Sequence, residues 1–235
     1  MITFKIGKNP LYEKLYFEVF GDREEFISQI CDTSTVVSVY DGDAFCGGAC
    51  LFDVSVNGFS GAYLYAVCVN TNMRGKGYAS ALINYIKEYC VKGGYSFILT
   101  VPAEKGLFSY YKRLGFTNIC YGAISLTGES TQIITPCDVY FEDFDGDFQR
   151  LYGLHLENDT IIKPFTVFKL SLDGLNVKYA FSDTASGYCV FKGEECVFAS
   201  ISGTAYKACE KALVMITDEN FVFPNGTLCD LLFEI

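Results

Sequence analysis

Two cations and two glycines fall within one run of six residues, Arg74-Gly75-Lys76-Gly77-Tyr78-Ala79. Those residue types make an anion site. Glycine lets the backbone come close to an oxygen-rich ligand, and Arg and Lys add formal charge at its rim. The chemistry needs one more part, a helix N-terminus. Its first amides lack intrahelical partners and carry about half a positive charge from the aligned peptide dipoles. The flanks supply it. Residues 63–70 are aromatic and β-branched, which predicts a strand. Beyond the glycines, Ala81, Leu82, Tyr85 and Ile86 recur at one-, three- and four-residue steps, which predicts a helix with an apolar face.

Three phosphate-binding patterns compete for this turn. A Walker-type loop needs glycine five residues before Gly75, where Asn70 stands, and Ser or Thr where Gly77 stands. It is rejected. A dinucleotide fingerprint accepts Gly75, Gly77 and Ser80, but it requires an acid about twenty positions on, and residues 95–100 contain none. The third pattern is Arg-x-x-Gly-x-Gly/Ala, met by Arg74, Gly77 and Ala79. This resembles the pyrophosphate loop of the GCN5-related N-acetyltransferases (GNAT). A second stretch, Leu107-Phe108-Ser109-Tyr110-Tyr111-Lys112-Arg113-Leu114-Gly115-Phe116, resembles the family's later helix motif, with Tyr111 at the motif tyrosine. The resemblance covers roughly residues 1–127 and looks like a bacterial branch with an appended C-terminal region.

The resemblance implies an α+β fold, the GNAT acyl-CoA N-acyltransferase fold, with a mixed, mostly antiparallel central sheet. It implies acetyl-CoA as acyl donor. The backbone at Val67 and Val69 would pair with the pantetheine arm, and Arg74, Gly75, Lys76, Gly77, Tyr78 and Ala79 would hold the pyrophosphate. Tyr111 would be the general acid. A tyrosine of pKa near 10 stays protonated at neutral pH and can give its proton to a leaving thiolate. Tyr110, one residue away on another helix face, is the fallback. No general base is assignable, because residues 61–70 contain no acid. Two function classes follow: an N-acetyltransferase acting on a primary amine of a small molecule or peptide, and a non-catalytic acyl-CoA binding or sensing module.

The whole chain sets bounds. It has 235 residues, half of them hydrophobic and 16% aromatic, enough for a substantial core in one large or two small domains. The net charge of −10 argues against a nucleic-acid partner, which needs a basic face. It suits a cationic substrate or serves solubility alone. No apolar run approaches the eighteen or so residues of a membrane span, and the N-terminus lacks a signal peptide's apolar stretch. The expectation is a soluble, cytoplasmic monomer or homodimer with no membrane partner. Eleven cysteines, an odd number with no Cys-x-x-Cys pair, argue against a disulfide framework or a zinc site; no metal is expected. Cys50, Cys68, Cys90, Cys120 and Cys196 sit among apolar residues and read as core thiols.

The elements that must position the loop run in order. Residues 1–6 predict a strand. Residues 10–20 predict a helix through Leu11, Leu15 and Val19, and residues 23–30 a second helix capped by Asp22. Tyr12, Tyr16 and Phe20 either line an acceptor pocket or fill the core. Residues 35–40 and 45–56 predict strands joined at Asp41-Gly42-Asp43, and Asn57-Gly58 predicts a hairpin turn. Gly47-Gly48 marks a bulge. After Gly93-Gly94, residues 95–101 predict a strand parallel to the one before the loop, then comes the Tyr111 helix and a strand over 117–126. The GNAT domain spans 1–127 and a smaller α+β region 128–235. The latter has a helix around Phe148, Leu151 and Tyr152, strands over 165–172, 177–181, 188–191 and 196–201, a helix over 205–212, and strands near Val214 and over 228–233. It holds no second copy of the loop, and its last strand is a candidate to join the first domain's sheet. Asp143, Asp145 and Asp147 echo a calcium loop without its glycine register or closing Glu. His155, the only histidine, follows an apolar helical pattern and reads as structural.

Overall fold

The computed structural model describes residues 1–122, 133–134, 139–159, 161–182, 185–193, 195–201, 205–206 and 209–224. The elements are β1 (Ile2–Ile6), α1 (Pro10–Phe20), α2 (Glu24–Thr33), β2 (Thr35–Asp41), β3 (Ala44–Val56), β4 (Phe59–Val69), α3 (Tyr78–Lys92), β5 (Phe97–Thr100) and α4 (Lys105–Arg113). There follow β6 (Asn118–Gly122), β7 (Ile133–Ile134), β8 (Tyr140–Asp143), α5 (Phe148–Asn158), β9 (Ile161–Ile162), α6 (Phe165–Ser171), β10 (Asn176–Phe181), β11 (Ser186–Lys192), β12 (Glu195–Ser200), β13 (Ala205–Tyr206) and β14 (Cys209–Ile216). The class is α+β. Two compact units form. The first is Met1–Val101 with Ser109–Asn118 and Leu213–Phe223; the second is Pro102–Phe108, Ile119–Ala212 and Pro224–Ile235.

In the first unit the sheet order is β1-β2-β3-β4-β5-β14. Every pairing is antiparallel except β4 with β5, because α3 crosses between those two strands. The helices lie on opposite faces. Ser38 pairs with Gly48, and both face α1: Asn9 donates to the Ser38 hydroxyl at 2.8 Å, and a Cβ on Gly48 would lie 2.6 Å from the Tyr12 ring. Phe4 pairs with Val39 and points the other way, where its ring stacks on Tyr85 of α3. Asn57 (φ 52°) and Gly58 (φ 81°) both take the left-handed conformation that a tight primed hairpin turn requires. Leu213–Ile216 of β14 pair with Phe97–Thr100, and the segment behind them seats Phe221 and Phe223 against Phe97.

The second unit repeats part of this order. Strand, two helices and three strands appear as β8, α5, α6, β10, β11 and β12, with the two-residue β9 between the helices. The sheet order β8-β10-β11-β12 reproduces β1-β2-β3-β4, and every pair is antiparallel. Alternation sorts its strands onto two faces. Val177, Tyr179, Tyr188, Val190 and Phe198 are buried with Leu151 of α5 and Phe168 of α6. Ala180, Cys189, Ala199 and Ile201 are buried on the other face.

Three expectations fail here. Residues 165–172 form α6 and its cap, not a strand. Residues 205–206 and 209–212 are strand, not helix. Asp22 does not cap α2: the N-cap is Arg23, whose side chain makes no capping bond to the helix. Its carboxylate accepts instead from Tyr16 at 2.9 Å. The predicted strand over 228–233 and the end of that over 117–126 lie outside the described residues.

Candidate functional site

The site begins where two strands part. β4 and β5 pair from Gly61 with Phe97 to Leu64 with Thr100. There the Thr100 hydroxyl donates to the Leu64 carbonyl at 3.0 Å. β4 runs on to Val69, while β5 ends and the chain leaves through Val101-Pro102. Beyond the last pair, β4 bulges. Gly48 pairs with Cys68 and Cys50 with Tyr65, so Ala49 faces both Ala66 and Val67, the two-against-one arrangement of a β-bulge. Ala66 adopts φ 50°, rare for a residue with a Cβ. The Tyr12 hydroxyl holds its carbonyl at 2.9 Å.

The double glycine on β3 is explained by this crowding. A Cβ on Gly47 would lie 2.3 Å from the Cys68 carbonyl, and one on Gly48 would meet the Tyr12 ring. The bulge that the glycines predict on β3 is present: Val39 pairs with Gly47 and Tyr40 with Phe45, which leaves Cys46 as the extra residue against β2. The bulge beside the site is a second one, on the partner strand β4.

Past the bulge, backbone groups alternate in direction. Asn70 donates its amide to the Cys46 carbonyl on β3 at 2.9 Å. Alternation therefore turns the peptide groups of Val69 and Val67 away from β3, towards the gap that β5 leaves. Both valines are half-buried, whereas Cys68 between them is buried.

The loop follows without interruption. Residues Thr71–Met73 make one 3-10 turn. Arg74 Nε donates back to the Val69 carbonyl at 3.2 Å, and Lys76 Nζ lies 3.7 Å from Met73 Sδ. Gly75 has φ 75° and Gly77, the N-cap of α3, φ 85°. A Cβ on either would meet nothing within 4 Å. The glycines are thus required by backbone conformation, and the space in front of them is open to a ligand. The first bond into α3 runs from the Ala81 amide to the Gly77 carbonyl at 2.9 Å, so the amides of Tyr78, Ala79 and Ser80 precede the helical ladder. That geometry fits a pyrophosphate. The Tyr78 side chain goes elsewhere: its hydroxyl donates to Asp41 at 2.8 Å. Asp41 raises the tyrosine to about 12, with burial adding to the effect.

α4 is tied to the start of α3 through the Tyr110 hydroxyl, 3.1 Å from Ser80 Oγ. Tyr111, the next residue, is buried, edge-on to Phe116 and to Tyr110. Of the α1 aromatics, Tyr12 and Tyr16 are fully buried, while Phe20 is 43% exposed. A cleft of about 520 Å³ opens between Leu15, Glu18 and Val19 of α1 and residues Asn70–Arg74. Among the described residues no group of three His, Cys, Asp or Glu side chains is placed to hold a metal, and no helix is long and apolar enough to cross a membrane.

The acetyltransferase (GNAT) family profile matches residues 9–116, which take in the parted strands, the loop and α4. Residues 9–116 form a GNAT acetyltransferase domain. That places this domain among the acetyl-CoA-dependent acyltransferases. Solved structures with the same fold cover nearly all of it. A conserved protein of unknown function from Enterococcus faecalis V583, a probable N-acyltransferase, is 13% identical with a TM-score of 0.66, over 93% of this chain and 73% of that one. Eis1 from Mycobacterium abscessus is 10% identical with a TM-score of 0.62, over 92% and 74%. A GCN5-related N-acetyltransferase from Anabaena variabilis ATCC 29413 is 12% identical with a TM-score of 0.62, over 92% and 73%. No curated protein sequence matches the chain.

The features that sequence reasoning missed in this GNAT domain are the bulge at Ala66 and the hydroxyls around it. Gly47-Gly48 announced the bulge on β3 beside them and not the one on β4.

Proposed function

We propose that the chain transfers the acetyl group of acetyl-CoA to a primary amine by direct attack. One observation carries this reading: β4 loses its parallel partner at Leu64 and leads, through a bulge, straight into Arg74–Ala79 at a helix N-terminus. The pantetheine arm takes the place of the missing strand against the peptide groups of Val67 and Val69. The pyrophosphate lies on Gly75, Lys76, Gly77, Tyr78 and Ala79, with Tyr78 contributing its amide and not its ring. Arg74, anchored on Val69, supplies charge at the turn. A neutral amine attacks the thioester carbonyl, the C–S bond breaks, and Tyr111 protonates the leaving thiolate. The nitrogen sheds one proton on becoming the amide, which balances the one that Tyr111 gives. The cleft beside α1 admits the acceptor, and the Glu18 carboxylate on its wall favours a cationic one. The protein works in the cytoplasm as a monomer or homodimer.

Thermal unfolding with acetyl-CoA, CoA, NAD and buffer tests the donor. A ligand at a hundred times its dissociation constant adds about 2.7 kcal/mol. Stabilisation by both CoA species and not by NAD is expected; a response to NAD alone would sink the loop assignment. Tyr111→Phe should lower turnover roughly a hundredfold to ten-thousandfold while leaving the acetyl-CoA shift unchanged. Turnover equal to wild type would remove Tyr111 from the mechanism.

A further inference from the structure

No acid stands on β4 to take the acceptor's proton, and an amine that arrives as ammonium cannot attack until it loses one. The α1 face of the sheet holds a chain of hydroxyls leading away from the parted strands. Tyr65 sits on β4 one residue after the last β4–β5 pair and one before the bulge. It pairs with Cys50, whose thiol reaches Tyr12, so its ring lies on the α1 side. The Tyr65 hydroxyl is 2.9 Å from that of Tyr16, and the Tyr16 hydroxyl is 2.9 Å from Asp22 Oδ2. Tyr16 is fully buried and Tyr65 is 8% exposed; Asp22, in the turn between α1 and α2, is half-buried and reaches solvent.

The chemistry of the three groups orients the chain. A carboxylate only accepts, so Tyr16 donates to Asp22. A hydroxyl has one proton, so Tyr16 must accept from Tyr65. Both O–H bonds therefore point towards Asp22, and Tyr65, next in sequence to the last β4–β5 pair, is the far end of the chain. Burial, then Tyr65 and Asp22, push Tyr16 well above the ordinary tyrosine range, so a free tyrosinate is not a stopping point and the protons move together. Two other tyrosines pack here. Tyr12 donates to the Ala66 carbonyl and accepts from Cys50. Tyr63 lies beside Tyr65, ring against ring.

We propose that Tyr65, Tyr16 and Asp22 form a proton relay that deprotonates the acceptor amine. The ammonium gives a proton to the Tyr65 oxygen as Tyr65 passes its own to Tyr16 and Tyr16 passes its own to the Asp22 carboxylate. The neutral amine is left to attack, and the carboxylic acid returns the proton to water. Tyr65 is the catalytic member; Tyr16 and Asp22 act through it. This rests on the acetyl-transfer reading above and assigns the base that it lacks.

The test is a pH–rate profile of wild type, Asp22→Asn, Tyr16→Phe and Tyr65→Phe. It uses the best amine from a panel of monoamines, polyamines, amino acids and peptides, with acetylated product read by mass spectrometry. Asp22→Asn is the informative variant, since its amide oxygen still accepts from Tyr16 but takes no proton at these pH values. Each variant should lose kcat by about a hundredfold near neutral pH, and the loss should shrink to a few-fold as the pH passes the amine's own pKa. The acetyl-CoA thermal shift should be unchanged throughout. Asp22→Asn kinetics equal to wild type, or a loss that is the same at every pH, would overturn the relay alone. A wild-type protein that acetylates no amine in the panel, although acetyl-CoA stabilises it, would overturn the transfer reading and the relay with it.

Discussion

In the first unit, Asp22 lies two residues past the end of α1; in the second, Asp159 is the residue that caps α5. The two helices hold the same place in the repeated order of elements, and both acids accept from hydroxyls: Asp22 from Tyr16 of its own helix, Asp159 from strand residues Tyr188 and Ser200. Their surroundings differ. Asp159 is 4% exposed and lies against His155 Nδ1. Its carboxylate also accepts from Tyr188 at 2.7 Å and from Ser200. His155 Nε2 accepts the Lys163 amide at 3.1 Å, so the imidazole carries its proton on Nδ1 and is neutral. An imidazole whose second nitrogen is held by a main-chain amide cannot serve as a base for a nucleophile. Asp22, by contrast, has a single hydroxyl chain and a wet side. A carboxylate saturated with donors and out of water holds a fold together; one with solvent behind it can exchange protons.

The largest effect we expect separates these two acids. Asp159→Ala removes the common acceptor of His155, Tyr188 and Ser200 inside the second unit, and each buried donor left unsatisfied costs about 1–3 kcal/mol. Asp22→Ala removes one hydrogen bond at a half-open site and costs about 1 kcal/mol. Thermal or urea unfolding of the two variants checks this. Equal losses would mean that Asp159 is not the keystone drawn here, or that Asp22 is more than a relay end.

The first unit was largely legible in the sequence because its signals agree. The period of the α3 residues, the left-handed glycines and the Asn57-Gly58 turn each have one structural reading. The second unit was less legible where signals conflict. Residues 165–171 are apolar and partly β-branched, which suits a strand, but Pro164 starts a buried helix on which Val167, Phe168 and Leu170 all face inward. Short apolar runs do not separate the two states. Around 205–212 the alanines and lysines favour a helix, yet residues 209–212 open β14, whose later residues pair with β5. The relay was invisible for another reason. Tyr16 and Tyr65 are 49 positions apart, and Asp22 looked like a helix cap, a role for which its carboxylate is turned the wrong way.

Glycines sharpen the contrast with a smaller effect. Gly77 has open space and a positive φ, so Gly77→Val strains the loop by roughly 1–2 kcal/mol and should abolish the acetyl-CoA thermal shift while the sheet stays folded. Gly187 in β11 is the reverse case. Its φ is not left-handed, but a Cβ there would lie 1.9 Å from the Ser200 carbonyl. Gly187→Ala should push β11 and β12 apart at a cost of about 1–3 kcal/mol, with the acetyl-CoA shift retained. Loss of that shift in Gly187→Ala would mean that the second unit contributes to cofactor binding.

The smallest effect is a titration. Each unit has a tyrosine whose hydroxyl donates to an aspartate: Tyr78 to Asp41 at 2.8 Å and Tyr179 to Asp145 at 3.0 Å. Both tyrosines are pushed up to about 12, but the first cause is the Asp41 bond for Tyr78 and burial for Tyr179. A tyrosine raised in the folded state stabilises it fully below the unfolded value, near 10, and that stabilisation is lost as pH climbs through 12. The partner acid has the opposite sign. The N-terminal ammonium, then Tyr78, hold Asp41 below the usual carboxylate range, so its contribution is full above about 4 and fades as pH falls through the lowered value. Asp41→Asn should therefore bring Tyr78 back towards 10 and flatten both limbs of the stability profile. Asp145→Asn should leave Tyr179 raised, because burial remains. Tyrosinate absorbance at alkaline pH, read as each variant's difference from wild type, distinguishes the two. A fall in Tyr179 as large as that in Tyr78 would show that the second unit's tyrosine is governed by its carboxylate and not by the apolar core around it.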